Sequence, residues 1–151
     1  CAILMKIVIF MKKHVKALVL GKDSGICQLI AISVNAVSKR TGVYIEDHVL
    51  KSSDDIESDE KFDIVLVNEF PSLKELIENK NILLSNFGKV VLLTSYQIDI
   101  EAVNKFSHTI TAVKKEPGSD FMSQIERIIF LELRLVKPMK VLSNALSGDI
   151  F

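Results

Sequence analysis

Apolar positions in this chain fall in short blocks, and the blocks alternate between strand and helix spacing. Residues 15–20 (VKALVL) form an almost continuous apolar run closed by Gly21, the pattern of a strand buried on both faces. Beyond it Ile26, Leu29, Ile30, Val34 and Val37 recur at helical spacing, with Asp23 or Ser24 placed to cap the first turn and Gly42 to stop the last. Residues 43–49 predict a second strand, whose weaker pattern suits a sheet edge. Residues 51–61 are polar apart from Ile56, so a loop or one rudimentary helical turn is expected. Residues 62–67 predict a central strand that delivers Asn68 to its C-terminal end.

Ser72-Leu73-Lys74-Glu75 has the form of a capping box, and Leu73, Leu76 and Ile77, with Leu83 and Leu84 as further candidates, give an apolar face ending at Gly88. Residues 89–94 predict a fourth strand, 100–106 a short helix, and 108–113 a fifth strand rich in Thr and Val. A last helix is expected over 120–136, stopping before Pro138. Five strand and helix alternations with short connections predict an α/β fold with a parallel sheet covered on both faces. Residues 15–137 form the expected domain, 1–14 an N-terminal extension and 138–151 a C-terminal tail or truncated linker. The extension opens on Cys1, which suggests a fragment or a true start at Met11; an added edge strand over 3–10 is the alternative.

Composition narrows the function classes. Basic and acidic residues both total 19, so no general attraction to nucleic acid or acidic lipid is expected. Two cysteines, Cys1 and Cys27, make neither a disulfide framework nor a metal cluster, which points to a reducing cytoplasm. The opening apolar segment, broken by Lys6, is shorter than the roughly 20 residues of a membrane span and lacks signal-peptide flanks. His14, His48 and His108 have no ligand spacing, and the loop from Gly21 to Gly25 matches neither common phosphate-binding pattern. No catalytic residue, metal or cofactor is expected.

Polar residues at the strand ends carry a more specific signal. The order of elements, with Asn68 and Pro71 after the third strand, Thr94 and Ser95 after the fourth and Lys114 after the fifth, resembles the receiver domains of bacterial response regulators over about residues 16–136. That resemblance implies a flavodoxin-like (CheY-like) doubly wound five-stranded parallel sheet of order 2-1-3-4-5 in three α/β/α layers. It also implies that Asn68 stands at the phosphoacceptor position, where the family has Asp. Gly21 and Lys22 stand where the family has its magnesium-binding acidic pair, and Asp23 is a carboxylate out of register. Thr94 matches the family's hydroxyl switch residue and Lys114 its phosphoryl-contacting lysine. The step to Pro71 is one residue short, the proline after the conserved-type lysine is missing, and Thr111 stands where an aromatic switch residue is common.

These substitutions remove the oxygen ligands a hard cation needs and the nucleophile of an aspartyl phosphate. Lys22, Lys114 and Lys115 would gather at the sheet edge. Either Asp23 or Glu69 then pairs with a lysine and locks the domain, the favoured outcome, or the lysines hold an anionic ligand near the first helix's start. On the last helix Phe121, Met122, Ile125, Ile128, Ile129 and Val136 share one face, whereas Phe130 and Leu131 fall outside it and Leu135 lies at its margin. Phe130, Leu131 and Leu135 are therefore the expected interface for a protein partner or a homodimer, unless the tail covers them or the helix continues into a further domain. The reading is a degenerate receiver acting by phosphorylation-independent protein contact. Its alternatives are a phosphorelay receiver with a displaced acidic residue and a small flavodoxin-like ligand-binding protein.

Overall fold

The computed structural model describes residues 14–106 and 109–135. Strand β1 (His14–Leu20) leads into α1 (Ser24–Thr41), then β2 (Tyr44–Leu50), a 3-10 turn (Ser53–Asp55) and β3 (Phe62–Asn68). The chain continues through α2 (Phe70–Glu78), a second 3-10 turn (Leu84–Asn86), β4 (Phe87–Thr94), α3 (Gln97–Phe106), β5 (Ile110–Lys114) and α4 (Asp120–Glu132). All strand pairings are parallel, in the order β2-β1-β3-β4-β5. The expected order and the edge position of β2 are therefore observed.

Period-two alternation sorts the sheet's side chains into two cores. Val15, Ala17 and Val19 of β1, Ile64 and Leu66 of β3 and Val91 and Leu93 of β4 pack with Ile30, Val34, Ile125 and Ile129 of α1 and α4. The intervening Leu18, Leu20, Val65, Val67 and Leu92 pack with Leu73 and Leu76 of α2 and Val103 of α3. Asp63, the one polar residue in the first six positions of β3, accepts from the Lys16 backbone N–H at 2.8 Å and so fastens the start of β1.

The caps of α1 are as the sequence predicts. Asp23 accepts from the Ile26 N–H at 3.1 Å, and Gly42, with φ 73°, donates back to the Ser38 carbonyl. The capping box is not. α2 begins at Phe70, directly after Glu69, with Pro71 in its first turn. Glu75 instead accepts from Ser52 Oγ at 2.7 Å and from the Ser53 N–H at 3.1 Å, pinning the 3-10 turn after β2. Leu83 and Leu84 are exposed, so they extend no helix face. Gly88 lies within β4, where an added Cβ would stand 2.4 Å from the Asp63 carbonyl oxygen; it marks close approach of two strands rather than a helix end.

α4 is shorter than expected because Arg134 takes a left-handed conformation, φ 53°. The Leu135 N–H then reaches the Phe130 carbonyl at 3.0 Å and the Arg134 N–H the Leu131 carbonyl at 3.3 Å, a Schellman closure. His14, assigned above to the extension, opens β1. His108, Val136, residues 1–13 and the expected tail lie outside the described residues.

Candidate functional site

Parallel register brings three strand ends together, since Asn68 pairs with Leu93 and Thr94 with Lys114. Asn68 and Thr94 are buried, at 3% and 0% exposure. The residue after β5, Lys115, donates from Nζ to Asn68 Oδ1 at 2.8 Å and forms an ion pair with Glu69 Oε2. Its backbone N–H is held by the Thr94 carbonyl at 2.8 Å, which aims the side chain across β4 toward β3.

Glu69 collects the remaining donors. Its carboxylate accepts from the Ser95 N–H at 3.2 Å and from Ser95 Oγ at 2.9 Å, and Thr94 Oγ1 lies 3.2 Å away. A threonine hydroxyl has one proton, and the shorter contact, 2.7 Å to Asp99 Oδ2, claims it. The Thr94 oxygen in turn accepts from the Tyr96 N–H at 3.2 Å. Burial pushes the Glu69 carboxyl upward, but the hydrogen bonds from Lys115 and Ser95 and the charge of Lys115 outweigh it and hold the group below the usual carboxylate range.

Glu69 is also the only residue between β3 and α2, and it turns the chain with φ 73° and ψ 150°. That region is essentially reserved for glycine. The flanking structure imposes it: the Glu69 N–H is bound to the Leu93 carbonyl at 2.7 Å while Pro71 already belongs to the helix.

Gly21 sits beneath this network. A Cβ placed on it would lie 2.9 Å from both Asn68 Cβ and Cys27 Sγ, closer than real contacts allow. Burial pushes the Cys27 thiol up; Asp23 adds to the shift and Lys115 opposes it.

Of the residues singled out from sequence, Gly21, Asn68 and Thr94 meet at the sheet edge. Lys22 does not: its Nζ pairs with Glu75 at 3.2 Å. Asp23 is occupied as the cap of α1. Lys114 is exposed, and its carbonyl accepts from Gln124 Nε2 at 2.7 Å, so the lysine that reaches Asn68 is Lys115. Asp99 was not anticipated; its position one turn beyond Thr94, in the first turn of α3, is the signal that could have found it.

The expected interface on α4 divides. Leu131 is 76% exposed, whereas Phe130 and Leu135 pack against the core, because the turn at Arg134 folds Leu135 back toward it. Exposed apolar side chains gather elsewhere: Ile98 and Phe106, at 72% and 65% exposure, lie with Ala102 along one ridge of α3, and Tyr96 precedes it. A cavity of about 430 Å³ runs beside this ridge between α2 and α3, lined by Phe70, Leu73, Ile77, Val103 and Phe106 among others. A second, of about 480 Å³, opens over the sheet edge between Glu69, Phe70, Pro71, Tyr96 and Asp99. Among the described residues no three His, Cys, Asp or Glu side chains are placed to share a metal, and no helix is long and apolar enough to cross a membrane.

No protein-family model and no curated protein matches the chain. Among solved structures, the chain is similar to a de novo designed Rossmann 2x3 fold protein determined by NMR, with a TM-score of 0.53 and 20% identity over 78% of this chain and 89% of that one. An archaeal flavodoxin is matched with a TM-score of 0.47 and 13% identity, over 75% of this chain and 92% of that one. The likeness to the designed protein is one of fold. Together with the strand order it places the chain in the flavodoxin-like α/β class.

Proposed function

We propose that the chain is a degenerate response-regulator receiver-like domain that acts in bacterial signal transduction by protein–protein contact, without aspartyl phosphorylation. The observation that carries this reading is the occupancy of the sheet edge by Lys115. In a receiver a lysine beside the acceptor position awaits a phosphoryl group; here the lysine is already bound by Asn68 and Glu69. Gly21 supports the same reading from the other side, because any side chain there, a carboxylate included, would collide with Asn68 and Cys27. Of the displaced carboxylates that could replace the lost acceptor, Asp23 is committed to the α1 cap and Glu69 to Lys115 and Ser95.

The contact surface in this reading is the α3 ridge of Ile98, Ala102 and Phe106 with its neighbouring groove. Incubation with acetyl phosphate or beryllofluoride in the presence of magnesium is expected to change neither the intact mass nor the amide NMR spectrum; a phosphorylated species or shifts around Asn68 would refute the proposal. The cavity between Glu69 and Tyr96 favours one second reading, a small-ligand site over the strand ends, which that same NMR sample would reveal on addition of flavin mononucleotide.

A further inference from the structure

The three side chains that close the sheet edge also form a constellation with chemistry of its own. Lys115 offers an amine, Asn68 a carboxamide 2.8 Å from that amine at its oxygen, and Glu69 a carboxylate in direct contact with the same Nζ. Water has limited access: Asn68 is 3% exposed, and the side chains of Lys115 and Glu69 are 14% and 29% exposed. An amine, an amide bound to it and a carboxylate in contact with the amine, all at the ends of strands, are the components of an intramolecular transamidation.

We infer that Lys115 and Asn68 join in an isopeptide bond, with Glu69 as the proton carrier. Glu69 takes a proton from the Lys115 ammonium, and the freed Nζ lone pair attacks Asn68 Cγ, forming the new C–N bond. The resulting tetrahedral centre receives that proton on its original amide nitrogen. Glu69 then takes the second proton from Nζ, the oxyanion re-forms the carbonyl as the old Cγ–Nδ2 bond breaks with its electron pair going to nitrogen, and the ammonia released accepts that proton from Glu69 and leaves as ammonium. Glu69 ends as it began, a carboxylate, and no oxidant, metal or cofactor enters the balance. The two Ser95 donors make the Glu69 carboxylate a weak base, so it draws the proton from Lys115 slowly and the reaction is complete over long incubation rather than during folding.

The geometry suits a single encounter rather than turnover. Asn68 is held by strand pairing to Leu93, and Lys115 by its backbone bond to Thr94, so the two groups stay in register across β4. Glu69 directly follows Asn68 in the chain, and its carboxylate is held against the Lys115 amine and Ser95. The bond would convert the ion-paired lock into a covalent one between positions 47 residues apart. This inference does not depend on the identity of any partner.

Intact mass spectrometry of the purified chain, aged at neutral pH, tests it. The expected result is a mass lower by one ammonia, with a branched peptide linking Asn68 to Lys115 after proteolysis, and full mass retained by Lys115→Arg and Glu69→Gln. Full mass in the aged, folded wild-type chain overturns the proposal. So does loss of ammonia that persists in Lys115→Arg, which would be cyclisation of Asn68 onto its own backbone. A mass gain from deamidation of Asn68 would overturn it as well.

Discussion

Lys115 donates to Asn68 across the intervening strand β4, at 2.8 Å, and the same ammonium neutralises Glu69. A buried amide and a strained carboxylate thus share one cation. In the chain before any covalent tie, Lys115→Met leaves the Asn68 oxygen without its donor and Glu69 without its counter-ion, though still bound by Ser95, and is expected to cost about 1–3 kcal/mol. Chemical denaturation of the variant checks it, and the double variant Lys115→Met with Glu69→Gln should recover part of the loss.

The depressed Glu69 carboxyl predicts an acid limb of stability. Its folded pKa lies below the unfolded one, so its contribution is present above the unfolded value and disappears as pH falls through the folded value. Between about pH 5 and about pH 3 the wild-type chain should lose more stability than Glu69→Gln does. Thermal melts across that range measure the difference; parallel curves would mean that Glu69 is not held by Lys115 in solution.

Free inorganic phosphate should not stabilise the fold. Lys22 is paired with Glu75 and Lys115 with Glu69, so neither reaches an incoming anion without giving up a carboxylate. Thermal shift in phosphate and in chloride of matched ionic strength is expected to give the same midpoint.

Two glycines should resist substitution for reasons of space. Gly21→Asp does not rebuild a magnesium site but drives a Cβ against Asn68 and Cys27, and Gly88→Ala drives one into the Asp63 carbonyl. Each is expected to destabilise by about 1–3 kcal/mol in denaturant titrations, with Gly88→Ala the worse because backbone must move.

Apolar positions on the helices should separate into core and surface. Phe130→Ser is expected to cost about 2 kcal/mol, since the ring packs against the core, while Leu131→Glu should stay within about 0.5 kcal/mol of wild type. Phe106→Glu should likewise leave folding intact and abolish partner binding or self-association by sedimentation or pull-down. Unfolding of Phe106→Glu would assign that ring to the core.

The alternation of apolar blocks determined much on its own. The parallel sheet with its two-sided core, the caps of α1 and the edge position of β2 follow from local periodicity and short connections, which need no knowledge of distant partners, while the strand order was implied by the resemblance that the strand-end residues carry. Asn68 and Thr94 were legible at the strand ends for the same reason. Only the tertiary structure decided which lysine meets Asn68, because one residue of register at the end of β5 separates exposed Lys114 from half-buried Lys115. It also decided that Glu75 binds the turn after β2 rather than its own helix, and that Phe130 and Leu135 belong to the core. These outcomes depend on sheet register joining residues far apart in sequence and on two left-sided turns, at Glu69 and Arg134, that no propensity favours in residues other than glycine.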